Sequence, residues 1–147
     1  MSNFEGKVVV VTGAGGGLGK AHALEFARRG AKVVVNDLGG SGDGVGSGDA
    51  ADLVVEQIRE SGGEAVANKA SVADKDGAQS IIDDAMSAFG TVDVLVNNAG
   101  ILRDKSFKNM ALAHWDLVLD LHLNGTANVT KAAWPILYKQ NNGRIVT

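Results

Sequence analysis

Cysteine is absent from the 147 residues, and proline occurs once. Without a thiol the chain can build no disulfide scaffold, thiolate zinc site or iron–sulfur cluster, and it has no cysteine nucleophile; a small secreted protein held by cross-links is therefore not expected. Aromatic residues are scarce, with four Phe, two Trp and one Tyr. Neither sign of charge dominates, since 14 Lys and Arg stand against 17 Asp and Glu for a formal net charge of −3. Binding to a nucleic-acid backbone needs a basic stripe, and none is present. No apolar run approaches the roughly 18 residues that span a bilayer. Met1 to Gly6 has neither the basic nor the apolar region of a signal peptide. Together these absences point to a soluble, intracellular protein with neither nucleic acid nor membrane as a partner. The length is that of one domain, by the usual range of about 100–200 residues.

Glycine, by contrast, is abundant: there are 20, most of them in the first third of the chain. Val8-Val9-Val10-Val11, within a strand expected over Lys7 to Thr12, is too short for a globular helix. Its β-branched residues suit a strand buried on both faces. A glycine turn follows at once. From Leu18 to Arg29 apolar residues recur at helical spacing, and Gly30 stands where a helix stop is expected. Lys32 to Asn36 repeats the valine pattern, and a strand–helix–strand unit of this length implies a right-handed parallel crossover. The alternation continues with a helix over Asp49 to Ser61, a strand over Glu64 to Asn68, a helix over Asp74 to Phe89 and a strand over Val92 to Val96. A long helical stretch then runs from about Leu112 to Lys139, with Pro135 expected to bend or interrupt it. Asn142-Gly143 is a turn, and Arg144 to Thr147 starts a fifth strand. Gly39 to Gly48 is read as an ordered or semi-ordered surface loop within a single α/β domain.

Thr12-Gly13-Ala14-Gly15-Gly16-Gly17-Leu18-Gly19 joins a buried strand to a helix, the setting a dinucleotide-binding turn requires. Glycine lets the backbone approach a pyrophosphate, and the helix N-terminus offers unpaired N–H groups and a partial positive charge. Ala14 and Ala21 break the spacing of a Walker-type phosphate loop, and Leu18 breaks G-x-G-x-x-G. The spacing that remains is T-G-x-x-x-G-x-G. A turn used for packing alone is the plainer alternative, at a high cost in chain entropy. Asp37 closes the second strand, close to where a carboxylate accepts hydrogen bonds from the adenosine ribose and repels a 2′-phosphate, which favours NAD over NADP. An Asp that merely starts the turn into Leu38-Gly39-Gly40 is the alternative there.

The first of these motifs, taken with Asn97-Asn98-Ala99-Gly100 after the fourth strand, resembles the short-chain dehydrogenase/reductase family. That resemblance implies a Rossmann-like, doubly wound parallel sheet of order 3-2-1-4-5, here ending after the fifth strand. It implies a cofactor set of Gly13, Gly17, Leu18, Gly19 and Asp37, with Ser71 and Val72 bracketing the adenine and Asn98, Ala99 and Gly100 lining the pocket. Many family members have Asp where Ser71 stands. Val35-Asn36-Asp37-Leu38-Gly39-Gly40, Ala65-Val66-Ala67-Asn68 and the run from Asn98 to Phe107 resemble the (3R)-hydroxyacyl-CoA dehydrogenase domains of the peroxisomal multifunctional enzymes of type 2. That narrower likeness implies NAD-dependent oxidation of a 3R-hydroxyacyl-CoA in fatty acid β-oxidation, and a peroxisomal rather than cytoplasmic address.

The family's general base is a Tyr with a Lys four residues later, helped by a Ser after the fifth strand. The one tyrosine here, Tyr138, is followed four residues on by Asn142 and reads as an amphipathic residue near a helix end. Residues 1–147 are therefore expected to be a dinucleotide-binding domain without its catalytic segment, inactive alone. His122-Leu123-Asn124-Gly125 matches the family pattern Asn-Leu-x-Gly, which makes His122 a supporting residue that would act chiefly through its main-chain carbonyl. His22 and His114 have no clustered partners, so no metal site is expected. The long helix should leave Trp115, Leu119, Leu123, Val129 and Trp134 exposed, so a homodimer or higher oligomer through residues 112–139 is expected. An oligomerising interaction module, or half of a split dehydrogenase, is the alternative function.

Overall fold

The computed structural model describes residues 3–39 and 48–147. The first valine run forms β1 (Val8–Thr12), with all five residues buried. The second forms β2 (Lys32–Asn36), joined to β1 through α1 (Gly17–Arg28). Then come α2 (Ala50–Glu60), β3 (Glu64–Asn68), α3 (Lys75–Phe89) and β4 (Val94–Val96). A single 3₁₀ turn at Phe107–Asn109 precedes α4 (Leu112–Leu119), a π-turn at Asp120–Asn124, α5 (Gly125–Gln140) and β5 (Arg144–Val146). The five strands lie in the order β3-β2-β1-β4-β5, and every neighbouring pair is parallel.

The valine runs are explained by position: β1 and β2 are central, and helices cover both faces. Val9, Val11, Val33 and Val35 face Ala23 of α1 and Val54, Val55 and Ile58 of α2. Val8, Val10 and Val34 face Ile81, Ile82 and Ala85 of α3 and Val129, Ala133 and Leu137 of α5. Full burial of each such valine contributes on the order of 1.5 kcal/mol or more. Local signals set the ends of α3: Asp74 accepts the Gly77 N–H at 2.6 Å as N-cap, and Gly90 closes the helix at φ 79°.

Two readings of the long helical stretch are corrected. The run does not break at Pro135, which lies inside α5; the departure from regular helix is the π-turn at Asp120–Asn124. Val129 is not exposed but fully buried against the sheet, whereas Trp115, Leu119, Leu123 and Trp134 are exposed. A π-turn carries one residue more than an α-turn, so the face of everything after it rotates by about 100° from the face that spacing from Trp115 would give. Of the glycine-rich insertion, Gly39 and Gly48 are described and their backbones touch, while Gly40, Gly42, Gly44 and Gly46 lie outside the described residues.

Candidate functional site

Strand order reverses at β1, whose neighbours β2 and β4 lead away in opposite directions. In open α/β sheets a ligand crevice forms outside the carboxyl ends of such strands. The two sequence motifs meet there. Thr12, the last residue of β1, accepts hydrogen bonds at its Oγ1 from the N–H groups of Asn98 and Ala99, both at 3.1 Å. In the other direction the Asn98 amide donates from Nδ2 to the carbonyls of Thr12 (2.9 Å) and Gly13 (3.1 Å). The ends of β1 and β4 are thus clamped by side chains where the ladder stops.

Within the turn the glycines divide into two groups. A Cβ on Gly13 would lie 2.8 Å from Ala99 Cα, one on Gly15 would lie 2.7 Å from Ala50 Cβ, and one on Gly19 would run into the Gly13 carbonyl and the Asn98 amide. Packing of the chain against itself therefore demands glycine at these three positions. Gly16 and Gly17 have nothing within 4 Å of a built Cβ, and Gly17 holds φ 51°. Gly16 is the N-cap of α1 and has no side chain to cap it. The first-turn N–H groups, with the positive end of the helix dipole, are left to a ligand.

Asp37 follows β2 and reaches back across the turn. Its Oδ2 accepts the Gly15 N–H and its Oδ1 the Gly39 N–H, both at 2.8 Å. Each oxygen keeps a lone pair beyond these bonds, so the carboxylate can still accept from a ligand hydroxyl. Asn36, beside it, is buried and donates from Nδ2 to Asn68 Oδ1 (3.0 Å) and the Ala70 carbonyl (2.9 Å), which fixes the segment leading to Ser71 and Val72. Asn128 of α5 donates to the carbonyls of Val72 and Ala73 at 3.1 and 3.2 Å, anchoring that segment from below.

A single cavity of about 570 Å³ joins these pieces. Gly13, Gly17, Leu18, Gly19, Asp37, Ser71, Val72, Asn98, Ala99 and Gly100 all line it, so every cofactor residue expected from the sequence is brought to one place. Gly15, Gly16, Asn36, Leu38, Ala50, Ala70, Ile101 and Leu121 complete the wall. Of these, Leu38 and Ile101 each adjoin a motif residue, which is a signal the sequence carried. Leu121 had none, since the π-turn that presents it is not a periodicity. Asp37 is the one charged residue in the lining, among the described residues. His122 stands behind the wall, its ring against Gly100 and Ile101, and its carbonyl accepts the Thr126 Oγ1 hydrogen at 2.7 Å. Tyr138 is elsewhere, exposed beside a separate depression with Trp134 and Asn141.

The cavity has the volume, largely apolar wall and few convergent polar groups of a small-molecule site. An open glycine floor at an uncapped helix N-terminus suits a diphosphate, and a lone carboxylate at the neighbouring strand end suits a ribose diol. The residues present therefore fit a dinucleotide.

Comparison with known proteins agrees with this geometry. A family model described as short chain dehydrogenase matches residues 7–147. The chain is 57% identical over 145 residues to peroxisomal multifunctional enzyme A of Dictyostelium discoideum, covering 98% of this chain and 32% of that protein. To peroxisomal multifunctional enzyme type 2 of Mus musculus it is 54% identical over 144 residues, covering 97% and 19% respectively. Among solved structures, a 7α-hydroxysteroid dehydrogenase complexed with NADH and 7-oxo glycochenodeoxycholic acid superposes with a TM-score of 0.87 at 34% identity, over 97% of this chain and 52% of that one. The chain spans at most about half the length of these relatives.

Proposed function

Because this chain belongs to the short-chain dehydrogenase family, we propose that its cavity holds NAD(H) and that residues 1–147 are the dinucleotide-binding part of an oxidoreductase acting on a 3R-hydroxyacyl-CoA. The carrying observation is the pairing, in one cavity, of the uncapped N-terminus of α1 with the Asp37 carboxylate. When bound, the nicotinamide would accept the hydride released as the carbinol becomes a ketone. Gly16 and Gly17 leave room for the diphosphate, and the N–H groups of the first turn of α1 hold it. Asp37 accepts from the ribose hydroxyls and disfavours a 2′-phosphate by like charge. Ser71 and Val72 flank the adenine, and Asn98, Ala99 and Gly100 form the opposite wall. Identity above 50% to two peroxisomal multifunctional enzymes supports the hydroxyacyl-CoA substrate, a place in fatty acid β-oxidation and a peroxisomal address.

These residues bind and orient; they do not supply the base. Tyr138 has Asn142, not Lys, four residues on, and it is 78% exposed, outside the cavity lining. A sample shown by intact mass to contain residues 1–147 alone should therefore quench or enhance NADH fluorescence saturably, yet reduce no NAD with a 3R-hydroxyacyl-CoA. Turnover in that sample would refute the assignment of roles.

A second property rests on a different observation. Leu112, Trp115, Leu119 and Leu123 are between 39% and 74% exposed along one run of helix, with Trp134 at 53%. Contiguous apolar surface of this kind marks an interaction site, and we propose that it carries the chain into a homodimer or higher oligomer. A sedimentation coefficient that stays monomeric across a hundredfold range of concentration would refute it.

A further inference from the structure

Strands β2 and β3 end side by side on opposite charges. Asn36 pairs with Asn68 in their parallel register, and the Asp37 N–H donates to the Asn68 carbonyl at 3.0 Å, which carries the ladder one step further. Asp37 and Lys69, the next residue of each strand, therefore stand one strand spacing apart, about 5 Å at the backbone. Side chains alternate between the faces of a sheet. Asn36 and Asn68 bond each other, and Asn68 reaches Ser80 and Asp84 of α3; Asp37 and Lys69 consequently share the other face, toward α2. There Asp37 takes the Gly15 N–H beside Ala50, the first residue of α2. Lys69 donates from Nζ to Asp49 Oδ1 at 3.1 Å and to Asp52 Oδ2. Asp49 is the N-cap of α2, yet its carboxylate caps no N–H of that helix. The hydrogen bonds to Asp52 and then Asp49 hold the Lys69 ammonium above the ordinary lysine range, so it stays charged. Lys69 and Asp52 are about half-exposed and Asp49 is mostly exposed, and exposed ion pairs add little to stability. What the arrangement decides is where a positive charge stands. Lysine is a point charge on a flexible four-carbon stem and a common phosphate binder. At the strand end next to Asp37, it is the group that could meet a phosphate on the ribose.

We propose that Asp49 and Asp52 are specificity-determining residues: by holding the Lys69 ammonium against α2, they withhold from a 2′-phosphate the cation that stands beside Asp37, and so sharpen the preference for NAD(H) over NADP(H). This rests on the reading of the cavity as an NAD(H) site. Asp37 repels the phosphate directly; the acidic pair removes the counter-charge that would offset the repulsion. Asp49, Asp52 and Lys69 lie outside the cavity lining, so NADH, with a free 2′-hydroxyl, should be indifferent to them.

The test uses the full chain, with NADH and NADPH titrated calorimetrically into wild type, D49N/D52N, K69Q and the triple variant D49N/D52N/K69Q. Asparagine keeps the size of each side chain and can still cap a helix. D49N/D52N is expected to leave NADH within about twofold and to tighten NADPH roughly 5- to 20-fold, the gain of a charge-assisted hydrogen bond reduced by salt screening. Adding K69Q should abolish most of that gain. K69Q alone, which leaves the two carboxylates uncompensated, should weaken NADPH and not NADH. Unchanged NADPH affinity in D49N/D52N would overturn the proposal. So would a gain that persists in the triple variant, because removal of negative charge alone would then explain it. Equal losses of NADH and NADPH would overturn it too, since the pair would then serve only to place α2. Any of these results in a chain that binds NADH leaves the cofactor reading intact; a wild-type chain that binds neither dinucleotide ends that reading and this proposal with it.

Discussion

At the scale of single residues the glycine turn separates packing from binding. Gly16→Ala adds a methyl where nothing stands within 4 Å and where φ is −158°, an extended value open to any residue, so the unfolding free energy should change by less than about 1 kcal/mol. Gly19→Ala drives a Cβ into the Gly13 carbonyl and the Asn98 amide and should cost about 3 kcal/mol or more by urea titration. Equal losses would mean that the turn tolerates or rejects side chains for reasons other than these contacts. Asp37 has two tasks, holding the N–H groups of Gly15 and Gly39 and presenting a charge to the cavity. Asp37→Asn retains one carbonyl acceptor and removes the charge. Its affinity for NADH should fall by about tenfold while that for NADPH holds or rises, so the ratio of the two dissociation constants shifts toward NADPH. Away from the site, Arg28 and Arg29 hydrogen-bond Glu25 and hold its carboxyl at about 2, below the ordinary 4.5. A lowered carboxylate stabilises the fold above its unfolded value and loses that contribution as pH falls from about 4.5 through about 2. Glu25→Gln should therefore lower the melting temperature slightly at pH 6 and not at pH 1.5, an effect kept small by solvent screening of a half-exposed side chain and diminished by salt.

Among the elements, the strands and the first three helices were legible because their signals are local. Val33-Val34-Val35 is short and β-branched, which suits a doubly buried strand, and Gly30 marks the end of α1, where the backbone is left-handed; Gly90 does the same for α3 in the structure. The stretch from α4 to α5 was not legible in the same way. Spacing carried from Trp115 places Val129 on the solvent side, but the π-turn intervenes and the side chain is buried among Val10, Ile82 and Ala133. No residue type announces a π-turn, so only the tertiary contacts of Leu121 and His122 reveal it. Val129→Ala should cost about 1.5–3 kcal/mol, a lost methyl pair plus a cavity. Trp134→Ser, at a half-exposed position on the same helix, should cost much less. A reversed ranking in thermal denaturation would return Val129 to the outer face.

For the whole molecule, the crevice at the reversal of strand order explains why two motifs 86 residues apart act together: Thr12 and Asn98 are hydrogen-bonded in both directions across it. A parallel α/β sheet followed from the alternation of strands and helices, whereas its order and the crevice followed from the resemblance of the two motifs to the short-chain dehydrogenase/reductase family. The division of labour among the glycines did not, because close approach of a chain to itself leaves the same letter in a sequence as close approach to a ligand. The claim on which everything else depends is that the cavity takes NAD(H) through the α1 N-terminus and Asp37. Calorimetric titration of NADH into the 147-residue chain, repeated with Asp37→Asn, tests it most directly. The account predicts saturable binding of one NADH per chain, weakened about tenfold by the substitution; no binding, or binding indifferent to Asp37, would contradict it.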